Sequence, residues 1–223
     1  MKNIKALTLA FLLTLFGSSQ SLAEYGFTVG LTGSMAMIEA SGQETEGGEI
    51  SRGEVSNNVG VGSIFVEYND ILGSGFSLGI DYIPGSSDVS SSISQRTDSN
   101  SEGDSATNKA QAEIDSHTTY YATYGISEGA YLKVGYVEAD LNTLETLGTG
   151  SKYANETING WEVGAGVEFD AYMGSVGRFE LTHIDYGDIE IRSSVARAGV
   201  TNNNLIEADL DVTRLSASLG YKF

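Results

Sequence analysis

From Trp161 to Phe169 the side chains alternate without a break, with Trp161, Val163, Ala165, Val167 and Phe169 set against Glu162, Gly164, Gly166 and Glu168. A helix would mingle the two sets around its surface, whereas a strand sends them to opposite faces. The same period governs both ends of the chain after residue 23. Leu215, Ala217, Leu219, Tyr221 and Phe223 oppose Arg214, Ser216, Ser218, Gly220 and Lys222. Near the beginning, Tyr25, Phe27, Val29, Leu31, Met35 and Met37 oppose Gly26, Thr28, Gly30, Thr32, Ser34 and Ala36. Five further runs follow the rule, at 59–68, 76–82, 118–124, 132–137 and from Phe179 onward. Eight strands result. In the run 59–68 the alternation changes phase near Gly62 and Ser63, which predicts a β-bulge at that glycine.

The links between these strands alternate in length. Short ones run Asn69 to Gly75, Ser127 to Gly129 and Asp170 to Gly177; long ones run Ser41 to Asn57, Pro84 to Gln111, Asn142 to Ile158 and Gly187 to Glu207. Short turns on one rim, long loops on the other and an even strand number describe an antiparallel up-and-down transmembrane β-barrel. A β-sandwich has no reason to alternate its connections so strictly. The expected fold is therefore all-β, an eight-stranded barrel over residues 24–223.

Residues 1–23 read as a cleaved secretory signal peptide. Lys2 and Lys5 precede an apolar stretch from Ala6 to Phe16, and Ser21-Leu22-Ala23 supplies the small residues of a signal peptidase site. Eleven apolar residues make about 16 Å of helix, too short for a hydrocarbon core of roughly 30 Å. The chain has no cysteine, which excludes disulfides, thiolate zinc and a cysteine nucleophile. The whole chain has 12 basic against 30 acidic residues, and losing the signal removes two of the basic ones. Such a balance argues against nucleic acid as a partner.

Alternation alone does not say which face is outside. A lipocalin-like barrel in the periplasm would turn the apolar set inward around an apolar ligand; a membrane barrel turns it toward lipid. The polar set is mostly Gly, Ser and Thr, small enough for the narrow interior of eight strands. Aromatic residues also gather at the strand ends. Phe27, Phe76, Tyr124, Phe169, Phe179, Tyr221 and Phe223 lie near the short-turn rim, with Tyr82, Tyr136 and Trp161 toward the other. Two such belts are what bilayer interfaces select, so lipid is expected outside. Lys133, Glu162, Glu168, Arg178, Glu180, Arg214 and Lys222 then face the lumen. They either plug it as ion pairs or line a narrow path that leans toward cations.

The ending Leu215 to Phe223, with its terminal aromatic after alternating apolar residues, resembles the C-terminal signature of bacterial outer-membrane barrels. The chain after residue 23 is similar in architecture to the small eight-stranded members of that group, the opacity-type surface antigens and porin-like barrels. Glu180 to Asp188 is similar to a glutamate- and tyrosine-rich strand end in the group, with Leu181 and His183 where tyrosines are usual. The resemblance implies residence in the outer membrane among lipid and lipopolysaccharide, as a monomer. It also implies recognition of Leu219, Tyr221 and Phe223 by the barrel-assembly machinery.

Other motifs are weak. Asp98 to Asp104 imitates the start of a calcium loop, but Lys109 stands where a bidentate glutamate belongs. Gly148 to Lys152 lacks the spacing of a phosphate loop. His117 and His183 have no serine at the spacing used by lipid-hydrolysing barrels and read as polar residues at outer strand ends. No enzyme activity, cofactor or metal is expected. The role read from the sequence is structural or surface-interacting, with at most narrow small-solute or ion permeation. The alternatives are a cation-leaning porin and the periplasmic binder.

Overall fold

The computed structural model describes residues 26–46, 49–89, 94–99, 105–144, 152–172, 174–194 and 203–223. The predicted signal peptide lies outside them. The strands are β1 (Phe27–Glu46), β2 (Glu49–Tyr68), β3 (Phe76–Asp88), β4 (Ser94–Ser99), β5 (Ser105–Ala110), β6 (Ala112–Gly125), β7 (Ala130–Thr143), β8 (Glu156–Asp170), β9 (Ser175–Arg192) and β10 (Leu205–Lys222). Eight of them close a barrel in the order β1-β10-β9-β8-β7-β6-β3-β2, while β4 and β5 pair only with each other. All pairings are antiparallel, and closure runs from Thr28 opposite Lys222 up to Thr45 opposite Leu205. The eight-stranded up-and-down barrel read from the sequence is the observed fold.

Much of what reads as long loop is barrel wall. β1 and β2 remain paired to Glu46 and Glu49, which takes in most of the span assigned to the first loop. Likewise β9 and β10 stay paired as far as Arg192 and Leu205. The longest link carries the β4–β5 hairpin, which was not anticipated.

Strand phase explains why these extensions escape a reading for apolar alternation. On β1 the outward residues Leu31, Met35 and Met37 give way to Glu39, while inward Thr32 and Ser34 give way to Ala36 and Ile38. On β7, outward Leu132, Val134 and Tyr136 are followed by Glu138, and inward Lys133 by Val137, Ala139 and Leu141. β9 passes outward from Phe179 and Leu181 to His183 and Asp185, and inward from Arg178 and Glu180 to Ile184 and Tyr186. The polarity of the wall inverts at one height. Below it lipid is outside and the polar set must go in; above it water is outside and apolar side chains are driven inward.

The predicted bulge at Gly62 belongs to this inversion. β2 pairs with β1 through Thr32–Ser63 and Gly33–Gly62 with no register shift. Val59 and Val61 face inward above the boundary, and Ile64 and Val66 face outward below it. The apolar set changes sides while the strand keeps its phase. The register shifts lie elsewhere, at Ile83/Ser86, Asp115/Thr118 and Asp209/Asp211. Ser116 takes a left-handed φ of 52° inside the second.

Below the boundary, inward glycines make room for three large rings. A Cβ on Gly79 would collide with the Tyr121 phenol, and one on Gly30 with the Phe65 ring. Outside, Phe76–Tyr124 and Phe169–Phe179 pair at centroid distances of 4.6 and 5.9 Å near the short-turn rim. Tyr136 meets Trp161 edge-on at 5.7 Å at the upper boundary. Phe223 packs beside Val29 and Val66, and its backbone N–H donates to Phe27 O at 2.8 Å.

Trp161 is the sole tryptophan and faces outward with 64% of its surface exposed. In vesicles, lipids brominated near the headgroup should quench its fluorescence more than lipids brominated near the bilayer centre. Equal protection from both would contradict the boundary.

Candidate functional site

The lumen holds charge at two heights. Near the short-turn rim, Arg178 on β9 makes a two-pronged contact with Glu67 on β2, Nη1 and Nη2 donating to the two carboxylate oxygens at 2.9 and 2.6 Å. Its Nε donates to Glu168 Oε2 at 2.8 Å, and Lys222 Nζ to Glu168 Oε1 at 2.6 Å. The guanidinium also lies 5.1 Å from the Phe65 ring centre and 5.9 Å from that of Tyr131, close enough for cation–π attraction. Lys222 and Glu168 face a vestibule of about 210 Å³ that opens at this rim.

Farther up, Glu162 on β8 joins Lys133 Nζ at 2.9 Å and Arg214 Nη2 at 3.1 Å. Lys133 also approaches Glu180 at 3.4 Å and stands 4.4 Å above the Tyr121 ring. Asp81 lies 3.5 Å from Arg214 Nη1 and accepts from Ser63 Oγ at 2.7 Å. Glu162 is fully buried, with Lys133 and Arg214 at 5% and 3% exposure. These side chains are shielded from solvent.

Every lumen charge singled out from the sequence therefore faces inward. Lys133, Glu162, Glu180 and Arg214 meet in the upper group, while Glu168, Arg178 and Lys222 meet in the lower. Two partners were missed. Asp81 stood on the polar face of its strand without being recognised as a charge for the lumen. Glu67 was hidden by the supposed bulge; an unbroken phase from Ser63 through Phe65 would have put it inside.

His117 is corrected more sharply. It is no surface residue at a strand end but is buried within the barrel, edge-on to Tyr186 at 6.2 Å. His183 does face outward at the boundary, with Nδ1 3.2 Å from Thr213 Oγ1 and Nε2 3.5 Å from Asp211. Residues 100–104 of the calcium-like run and 148–151 of the phosphate-like run lie outside the described residues. Among the described residues no group of three His, Asp or Glu side chains is arranged to hold a metal ion.

Above the inversion the lumen changes character. A narrow cleft of about 40 Å³ lies between Ile38, Val61, Ile83, Ile184 and Val212, with His117 and Arg214 also lining it. Beside it the β2–β3 ladder ends. Only Ile64–Tyr82 through Tyr68–Leu78 are paired. Continued in this register, the ladder would pair Ser63 with Ile83 and then Gly62 with Pro84, the one proline of the chain, which has no N–H to give. Gly85 follows with φ 88°. Above that point β2 keeps β1 as its partner, and Asn57 Nδ2 reaches Asp88 O at 3.0 Å across the gap.

The fold has counterparts among solved structures. The outer membrane protein OprG from Pseudomonas aeruginosa matches with a TM-score of 0.53 at 12% identity, over 89% of this chain and 96% of that one. The chain has the fold of a bacterial outer-membrane β-barrel. Ail of Yersinia pestis, the attachment invasion locus protein, matches at a TM-score of 0.38 and 13% identity, covering 87% and 99% of the two chains. The outer membrane protease OmpT of Escherichia coli matches at 0.47 and 12%, covering 89% and 97%. Neither a protein-family model nor a curated protein matches the sequence. In an outer-membrane barrel the short turns face the periplasm, so the cleft and the gap beside it face the outer leaflet.

Outside the wall, above the belt, carboxylates stand directly opposite one another. Glu39 faces Asp211, which faces Asp185, and Asp209 faces Asp188. Like charges at such positions repel. Asp188 holds the Asp209 carboxyl above its usual range by sharing a hydrogen bond and by repulsion. A raised folded-state pKa means that the charged form is disfavoured on folding, so the penalty exists at neutral pH and fades as pH falls through that pKa.

Three outcomes follow from these charges. Glu162→Gln leaves Lys133 and Arg214 short of a buried carboxylate and should cost about 3–5 kcal/mol in urea unfolding from vesicles. Lys222→Ala, at 41% side-chain exposure, should cost less than about 1 kcal/mol. Asp209→Asn should increase amide-exchange protection at the top of β9 and β10 at pH 7, with the gain over wild type shrinking at acid pH.

Proposed function

We propose that this outer-membrane barrel admits small apolar molecules into its upper chamber and releases them sideways, between β2 and β3, into the membrane. The observation that carries this reading is the early end of the β2–β3 ladder at Pro84, beside an apolar cleft and above a plugged polar lumen. Gly60 and Gly62 on the open edge are level with Met35 and Gly33 of β1, which belong to the lipid-facing belt. The gap thus reaches the upper edge of the hydrocarbon. An apolar solute halted by the ion pairs below has a continuous apolar way out at the side. The cleft as it stands suits a water molecule or two, so passage requires the two strands to part.

A narrow cation path down the axis is disfavoured, because buried ion pairs at two heights would have to open together. A surface-interaction role keeps one supporting observation. The β1–β2 hairpin projects past the belt and exposes Ile50 and Val55.

The test uses intact Gram-negative cells, whose lipopolysaccharide leaflet slows entry of the fluorescent apolar probe N-phenylnaphthylamine. Cells making the barrel should take the probe up several-fold faster than cells without it, while the purified barrel gives no steady conductance in planar bilayers. Pro84→Val supplies the missing N–H, and Val61→Trp fills the cleft; each should return uptake toward the background rate. Unchanged uptake in both folded variants would refute the sideways route.

A further inference from the structure

The cleft is not uniformly apolar. His117 is 6% exposed, lines the cleft, and its Nδ1 makes no hydrogen bond. Arg214, 3% exposed, lines it too, and neither its Nε nor its Nη1 makes one; the nearest Asp81 oxygen stands off at 3.5 Å. A buried polar atom left unpaired is costly, and here two side chains concentrate that cost at the floor of a largely hydrocarbon-lined space. Arg214 can only donate, and a neutral imidazole can donate through one nitrogen. The floor therefore asks for an oxygen acceptor.

The charge around that floor decides what kind of oxygen. Asp81, Glu162 and Glu180 outnumber Lys133 and Arg214, so a carboxylate or phosphate entering would add to an existing excess of negative charge. We infer that the chamber is built for an apolar molecule with one neutral oxygen group, such as a medium-chain alcohol, ketone or ester, whose oxygen takes the unmade hydrogen bonds of His117 and Arg214. This rests on the sideways-route reading and names the class of molecule that would use it. The oxygen would hold the solute at the floor with its chain toward Ile38, Val61 and Ile83, and so toward the gap.

The experiment uses the full barrel in lipid nanodiscs with isoleucine methyl groups and histidine ring nitrogens isotope-labelled for NMR. Octane, 1-octanol and octanoate are added at matched membrane concentration. The Ile38, Ile114 and Ile184 methyls report occupancy, and the His117 ring nitrogens report the hydrogen bond. Octanol should perturb both sets, at a concentration about three- to tenfold lower than octane needs for the methyls alone, the range expected of one hydrogen bond. His117→Leu should bring the octanol-to-octane ratio near one, and His117→Gln should restore most of it, with heat-modifiability gels verifying that each variant is folded. If octane and octanol perturb the methyls equally and the His117 nitrogens do not respond, the pocket floor holds water only and the inference fails while the route stands. Tighter binding of octanoate overturns the neutral-oxygen assignment. If no probe reaches the methyls, the chamber reading falls and the inference with it.

Discussion

In hydrocarbon a backbone N–H or C=O without a partner has no water to turn to, and this requirement orders the rest of the molecule. It demands closure, which β1 and β10 supply along their whole common length. It also restricts where a ladder may stop. The β2–β3 pairing ends at the upper edge of the apolar belt, where lipid gives way to headgroups and water, and the register shifts in β3 and β6 follow directly beyond it. A proline at that place breaks little that the bilayer requires. Several residues lower it would leave backbone carbonyls without partners in lipid.

Closure forces the polar face inward, and that sets the second condition. Charges inside an eight-stranded barrel have almost no water, so each must find a partner or exact several kcal/mol. The two groups meet this with different geometry. Arg178 is held by a planar, two-pronged contact and flanked by rings; Glu162 is shared between two cations. Removing Glu162 would leave Lys133 and Arg214 with only the more distant Glu180 and Asp81, whereas Lys222 can turn to the vestibule. The upper group is less complete: Asp81 Oδ1, Glu162 Oε1, Arg214 Nε and Nη1 and the neighbouring His117 Nδ1 make no hydrogen bond.

Most of the membrane wall was legible because lipid on one side and a cramped lumen on the other impose a strict period of two. The runs ending at Phe169 and Phe223 could be read residue by residue. What escaped had one cause. Where the wall leaves the membrane the strand keeps its phase while its two faces exchange polarity, as at Leu132–Tyr136 followed by Glu138. A rule that looks for apolar side chains on a constant face sees this as the end of the strand, or as a bulge at Gly62. Loop length was overestimated for that reason, and Glu67 was lost from the lumen. The β4–β5 hairpin had no comparable signal, since its serine- and asparagine-rich segments offer no apolar face. His117 was misplaced because its run was begun at Thr118; carried one residue further, the inward set Thr123, Tyr121 and Thr119 continues to His117, opposite Ile83.

The inversion also bears on the choice between a lipid-facing barrel and one with an apolar interior, which looked exclusive when each strand was assumed to have one polarity. Both descriptions hold, at different heights. From the periplasmic rim to about Met37, Tyr136 and Leu181, the barrel is apolar outside and charged within. Above, Glu39, Glu138 and Asp185 meet water while Ile38, Val137, Ile184 and Val212 form an apolar interior. An apolar interior stacked on a polar plug has no way through along the axis. Its only apolar neighbour is the bilayer, across the wall. The gap at Pro84 lies where the two meet, and that coincidence of an unpaired edge with the boundary between two polarities gives the barrel a direction that a uniformly patterned one would lack.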